Sequence, residues 1–266
     1  MDAQYFRERA YSLEVELKGR DSARSDSFEG REILRDEIAS CIDKYMKLTG
    51  IELEDGFSLP VKSGRWTVTQ GWSTRASHQG FTNRFALDLE MVDILGHHTI
   101  DGSDRKRYPE KSYSLGQPFY SMASGKVIVH IRNPKDPESD NMIIIKHRET
   151  PNSPYTGIRS IYIHGTDEIV IPGAPEFYDL EPGYHSLGID VEEGDHIGNV
   201  GFSGTHYTHL HISMKIKKHE NICIPFWFKE YWGLHPDGGP QYVNSATPRH
   251  GEYLGISEEE VREARI

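Results

Sequence analysis

From Phe57 onward the chain is written in short apolar–polar alternations, and this pattern restricts the fold more than any other feature. Examples are Arg65-Trp66-Thr67-Val68-Thr69, Lys126 to His130, Met142 to Lys146, Ser160 to His164 and His209 to Ile216. A period of two sends alternate side chains to opposite faces of a strand. Several of these runs are separated by glycine-bearing turns, which predicts a mainly β fold, an antiparallel sheet or sandwich, over residues 57–245. Residues 91–115 and 133–140 are polar and rich in Pro, Gly and Asp, and read as loops. Residues 165–190, with Pro172, Pro175 and Pro182, read as a further long insertion. Loops of this length in a compact domain often frame a cleft.

Residues 1–56 have a different texture. Asp26 and Glu29 have capping-box spacing. After them Ile33, Leu34, Ile38, Cys41, Ile42, Tyr45 and Met46 recur every three or four residues. That is the apolar face of an amphipathic helix, with Gly50 placed as its stop. The face is suited to packing on the β domain or to dimerisation. In the tail, 246–266, Ser257 with Glu260 and Ile256 with Val261 predict a short closing helix.

Composition narrows the function. Lys and Arg number 30 against 41 Asp and Glu, a net charge of −11, which argues against a nucleic-acid partner. Two cysteines, Cys41 and Cys223, exclude a disulfide framework and a cysteine-rich zinc site. No apolar run approaches the ~20 residues of a spanning helix, and the N-terminus carries no apolar signal segment. The expectation is a cytoplasmic protein, or a periplasmic or extracellular one if it is exported by another route or already processed. The compositional oddity is 14 histidines.

Two of these stand in Thr208-His209-Leu210-His211-Ile212. On a strand, His209 and His211 share a face, about 6–7 Å apart at ~3.3 Å per residue. Leu210 and Ile212 then face a core. Paired imidazoles suit two metal ligands, or one ligand beside a base.

The preceding segment makes the pattern specific. Val191, Gly194, Asp195, Ile197, Gly198, Gly201, Ser203 and Gly204, followed by His209-Leu210-His211, resemble the lysostaphin-like (LytM-type) zinc metallopeptidases. Phe85-Ala86-Leu87-Asp88-Leu89 resembles the Asp half of that family's first motif. In the commonest form a His lies four residues before the Asp, a position held here by Arg84. A variant subgroup has the His farther upstream, and Thr74 to Gly80 followed by Arg84 to Asp88 resembles it, with His78 as the ligand. His97 and His98 are rival donors, but they follow the Asp. Leu115 to Val127 resembles the next strand pair of the family, and Tyr162-Ile163-His164 its Y-x-H motif. The resemblance spans about residues 57–217.

It implies a duplicated-hybrid-motif β fold. It implies Zn2+ held by His78, Asp88 and His211, a donor set of N and O atoms without sulfur. His209 is then the general base and His164 a partner to water or the oxyanion, two roles that are exchangeable. There is no H-E-x-x-H helix to supply a glutamate base. The implied activity is a zinc endopeptidase acting on peptide, in the stems or cross-bridges of bacterial peptidoglycan. One alternative is a catalytically inactive cell-wall-binding or regulatory module of the same fold. Another is a hydratase built on three histidines, against which Asp88 and the Val191–Asp195 turn both speak. His97, His98, His185, His196, His206, His219, His235 and His250 lack ligand spacing and read as solvent-facing. Tyr207 and the cluster Phe226, Trp227, Phe228, Tyr231 and Trp232 read as packing residues.

Overall fold

A computed structural model describes residues 2–23, 28–48, 56–71, 78, 83, 85–133, 135, 140–147, 158–175, 179–216, 222–234, 240–246 and 252–255. Two helices come first, α1 (Ala3–Ala23) and α2 (Phe28–Leu48). The strands are β1 (Arg65–Gln70), β2 (Leu87–Val92), β3 (Pro118–Tyr120), β4 (Gly125–Ile131), β5 (Met142–His147), β6 (Ile158–Ile163), β7 (Gly183–Val191), β8 (His196–Asn199), β9 (Leu210–Ile216), β10 (Ile222–Cys223), β11 (Phe228–Leu234), β12 (Pro240–Ala246) and β13 (Tyr253–Gly255). The fold is mainly antiparallel β with two helices.

Eleven strands form one sheet, in the order β12-β11-β13-β1-β2-β9-β6-β5-β4-β7, with β10 added to β9. The short strands β3 and β8 make a second, two-stranded sheet. Alternation decides which face of the large sheet is core. Leu87 and Leu89, Leu210, Ile212 and Met214, Ile143 and Ile145, and Val127 and Val129 are all buried in one apolar cluster. Phe119 of β3 stacks on Tyr162 of β6, centroids 5.6 Å apart. The Tyr162 hydroxyl accepts a hydrogen bond from the Met122 amide at 2.8 Å. Burial there pushes its phenol up to about 12, so it stays protonated. The opposite face of the large sheet is left for chemistry.

The helical face lies where its spacing put it, with one exception. Leu34, Ile38, Cys41, Ile42, Tyr45 and Met46 are buried, but Ile33 is 60% exposed. The buried residues join the sheet's apolar cluster, and Arg9 of α1 pairs with Glu37 of α2 at 2.8 Å. The face is therefore covered within one chain. The Asp26 cap, the Gly50 stop and the Ser257–Val261 helix lie outside the described residues.

Two expectations are corrected. The insertion expected over 165–190 ends in a strand, since residues from Gly183 pair with β4. Its polar alternation is that of an edge strand with one solvated face, and positive φ at Gly188 (+70°) accompanies a register shift. The tail also contributes structure, because β13 pairs with both β1 and β11. Phe226, Phe228 and Tyr231 are buried, which agrees with a packing role.

Candidate metal centre

Cross-strand register assembles the site. Asp88 of β2 pairs directly with His211 of β9, and Gln70 of β1 pairs with Asp88. Ile163, the residue before His164, is the partner of His211 on the other side. His78 reaches the same point from the segment between β1 and β2. One donor atom each from His78, Asp88 and His211 lies within 4.8 Å of the others, and all three residues are buried.

Individual contacts are tight. Asp88 Oδ1 lies 2.8 Å from His211 Nδ1 and 3.0 Å from His78 Nε2. The two imidazole nitrogens are 3.4 Å apart. Asp88 Oδ2 accepts a hydrogen bond from Gln70 Nε2 at 2.8 Å, and His209 Nε2 stands 3.7 Å from it. Gln70 thereby holds one carboxylate oxygen and leaves the other to the histidines. Burial by itself would raise the Asp88 carboxyl. The surrounding His209, His211 and His78 outweigh that and hold it well below the usual carboxylate range. Burial lowers His209, and lowers His211 to about 4, so both rings are neutral near neutral pH.

Hydrogen bonds to carbonyls determine the tautomers, because a carbonyl oxygen only accepts. His78 Nδ1 donates to Gly71 O at 3.0 Å, His209 Nδ1 to Tyr207 O at 3.1 Å, and His164 Nδ1 to Ser203 O at 2.7 Å. In the neutral rings Nε2 is then a bare lone pair. At His78 that lone pair faces a carboxylate oxygen and a second imidazole nitrogen. Such an arrangement calls for a cation between them, a proton or a metal ion. Ligands of a tetrahedral zinc with bonds near 2.1 Å sit roughly 3.4 Å apart. The observed separations of 2.8–3.4 Å are close to that triangle. The residues present fit a zinc ion.

His164 and His209 stand beside this group, with ring centroids 4.5 Å apart. His164 has φ +67°, the one positive value among described non-glycine residues. The left-handed conformation costs an ordinary residue free energy and persists where the surroundings impose it. Those surroundings are the loop after β8. Gly201 donates its amide to His164 O at 2.7 Å. A β-carbon at Gly201 would come within 2.7 Å of the Gly165 backbone, and one at Gly204 would overlap the Asp140 carboxylate. The glycines of the Val191–Gly204 motif thus let the loop seat His164.

The structure brings His78, Asp88, His164, His209 and His211 to one place. His97 and His98 lie elsewhere: His97 pairs with Asp93 at 3.0 Å, and His98 with the buried Glu90 at 2.8 Å. His206 and His196 are exposed, and His185 is half-buried. Arg84, His219, His235 and His250 lie outside the described residues. Sequence reasoning missed the supporting layer. Tyr207 stacks on His209 with centroids 4.6 Å apart, and its hydroxyl accepts from Gln70 Nε2 at 3.1 Å. Arg105 lies over the Tyr207 ring at 4.9 Å and pairs with Glu90. Asp140 Oδ1 is 3.2 Å from His164 Nδ1. Only Tyr207 and Gln70, close in sequence to recognised motifs, offered a signal.

Compared by sequence with known proteins, the chain matches no family model and no curated protein. Among solved structures it is similar to a catalytic-domain mutant of the prophage-encoded M23 protein EnpA from Enterococcus faecalis. The identity is 14% over 63% of this chain and 93% of that one, with a TM-score of 0.37. It is also similar to lysostaphin, at 13% identity over 71% of this chain and 76% of that one, with a TM-score of 0.34.

Proposed function

We propose that the protein is a zinc-dependent endopeptidase, with His78, Asp88 and His211 as metal ligands and His209 and His164 as the proton-handling pair. One observation carries this reading. Three buried N and O donors converge while two further imidazoles, each with its Nδ1 proton committed to a carbonyl, stand alongside. A zinc ion held by the three would act as a Lewis acid toward the scissile carbonyl and acidify a water molecule.

The remaining work falls to the chain. His209, kept neutral by burial, offers Nε2 to take the proton from the attacking water. His164, oriented through Ser203, holds its Nε2 toward the same space. The proton taken up by His209 passes to the leaving amine, while a protonated His164 Nε2 would donate a hydrogen bond to the oxyanion. The two roles are exchangeable on this geometry. Gln70 keeps the Asp88 carboxylate turned toward the histidines.

By the sequence resemblance, the substrate is peptide, in the stems or cross-bridges of bacterial peptidoglycan. Among the described residues no helix is long and apolar enough to cross a membrane. Elemental analysis of wild type, His78→Ala and Asp88→Ala, followed by hydrolysis of cell-wall peptide with and without chelator, tests the reading. One zinc per chain and chelator-sensitive cleavage are expected. Absence of zinc in the wild type overturns the reading. Zinc without cleavage favours the inactive binding module.

A further inference from the structure

The face of the large sheet that carries the metal centre also carries a row of cations in register. Lys215 of β9 is the direct partner of Arg159 of β6, which pairs with Lys146 of β5, which pairs with Lys126 of β4. At ~4.8 Å between strands the row runs for about 14 Å. It lies four residues along β9 from His211, roughly 13 Å away.

Like charges directly opposite each other across strands are destabilising. Here this occurs three times in succession on a chain whose net charge is −11. Lys126 has a carboxylate partner, Asp190 at 3.1 Å. Among the described residues, no carboxylate pairs with Lys146, Arg159 or Lys215. The Lys215 ammonium donates to the Asn83 amide oxygen at 3.3 Å. Among the described residues, buried Arg159 Nε has no hydrogen-bond partner. Burial lowers the pKa of both side chains, as it does for cations without a counter-ion.

Between this row and the metal centre lies a groove of about 620 Å³, floored by Ile128, Met142, Ile144, Ile161 and Ile163. Ile144 and Ile161 are outside the main apolar cluster. Asp140, beside His164, closes the groove at the end away from Arg159 and Lys215. Ser213, between His211 and Lys215 on the same strand face, has a buried hydroxyl with no hydrogen-bond partner.

We propose that this groove binds an acidic stretch of the peptide substrate, its backbone over the isoleucine floor and its carboxylates on Arg159, Lys215 and Lys146. The assignment rests on the peptidase reading. It adds that the substrate is anionic several residues from the scissile bond. Charge complementarity selects the occupant, since carboxylates relieve the repulsion within the row and satisfy Arg159.

A fluorescent glycine-rich peptide with two glutamates several residues from a central Gly-Gly bond tests it, against the same peptide with glutamines. Binding is followed by anisotropy in chelator, where no cleavage occurs. Cleavage of both peptides is then measured on the zinc-loaded protein. Wild type binds the glutamate peptide about tenfold more tightly, and added salt shrinks the difference. Arg159→Gln and Lys215→Gln each remove most of the preference. Their melting temperatures stay at or above wild type, because a like-charge contact has been removed. Should either variant fail to melt cooperatively, Lys146→Gln, at an exposed position, carries the test. Equal binding of the two peptides by wild type, or a preference kept in the variants, overturns the proposal. So does binding of poly(glycerol phosphate) in place of the glutamate peptide. A charge preference with no cleavage of either peptide upholds the groove as an acidic-peptide site and overturns the peptidase reading alone.

Discussion

His211 Nδ1 lies 2.8 Å from Oδ1 of Asp88, its direct cross-strand partner. Antiparallel pairing of β2 with β9 therefore builds two-thirds of the candidate metal site without any loop. The third donor, His78, is added from the β1–β2 connection.

Asp88→Asn keeps the shape of the side chain and removes its charge. The histidines then converge without the carboxylate that draws a cation to them. Zinc content should fall from about one per chain to under about a tenth, measured by elemental analysis after dialysis. Retention of a full equivalent would remove Asp88 from the ligand set.

His164→Ala and His209→Ala should act differently from ligand variants. Each is expected to lower kcat by about 10²–10⁴ while leaving the zinc content unchanged. Paired measurement of metal stoichiometry and peptide cleavage separates the two classes. If either variant lost its zinc, that histidine would be a ligand.

Gln70→Ala removes the hydrogen bond to Asp88 Oδ2 and the contact to Tyr207. Loss of such an orienting partner typically weakens metal binding about 10–100-fold. Competition with a chromophoric chelator measures it. Unchanged affinity would mean that strand pairing alone orients the carboxylate.

His147, at the end of β5 with its ring 5.5 Å from that of Phe57, has its pKa lowered by burial to about 4. The unfolded chain takes up that proton near pH 6.5 and the folded protein only near 4. Between those values the unfolded state binds more protons, so stability falls as pH drops through this window and levels below it. The loss from this one group is about 3 kcal/mol. His147→Leu should flatten the pH dependence of urea unfolding between pH 6.5 and 4 relative to wild type. Parallel curves would show that His147 titrates normally.

The strands β1, β4, β6 and β9 are legible because each keeps an apolar–polar alternation with a buried apolar face, and β5 because it opens on a run of four apolar residues. β7 is not, because an edge strand with a solvated face has too few apolar residues to stand out from a polar insertion. Ile33 fits the helical spacing, yet it ends exposed at the margin of the apolar stripe.

Chemistry and local geometry of the site were written in the chain. His209 and His211 share a strand face by periodicity, and the glycines before them deliver a turn and a loop that only glycine accommodates. Which groups meet was decided by tertiary structure. Gln70, Asp88, His211 and Ile163 become neighbours only through the register of β1, β2, β9 and β6. The same register aligns Lys215, Arg159, Lys146 and Lys126. In sequence these cations are scattered among ordinary surface charges. Register is a pairing between distant segments, set by burial of the opposite face, and local periodicity holds no record of it.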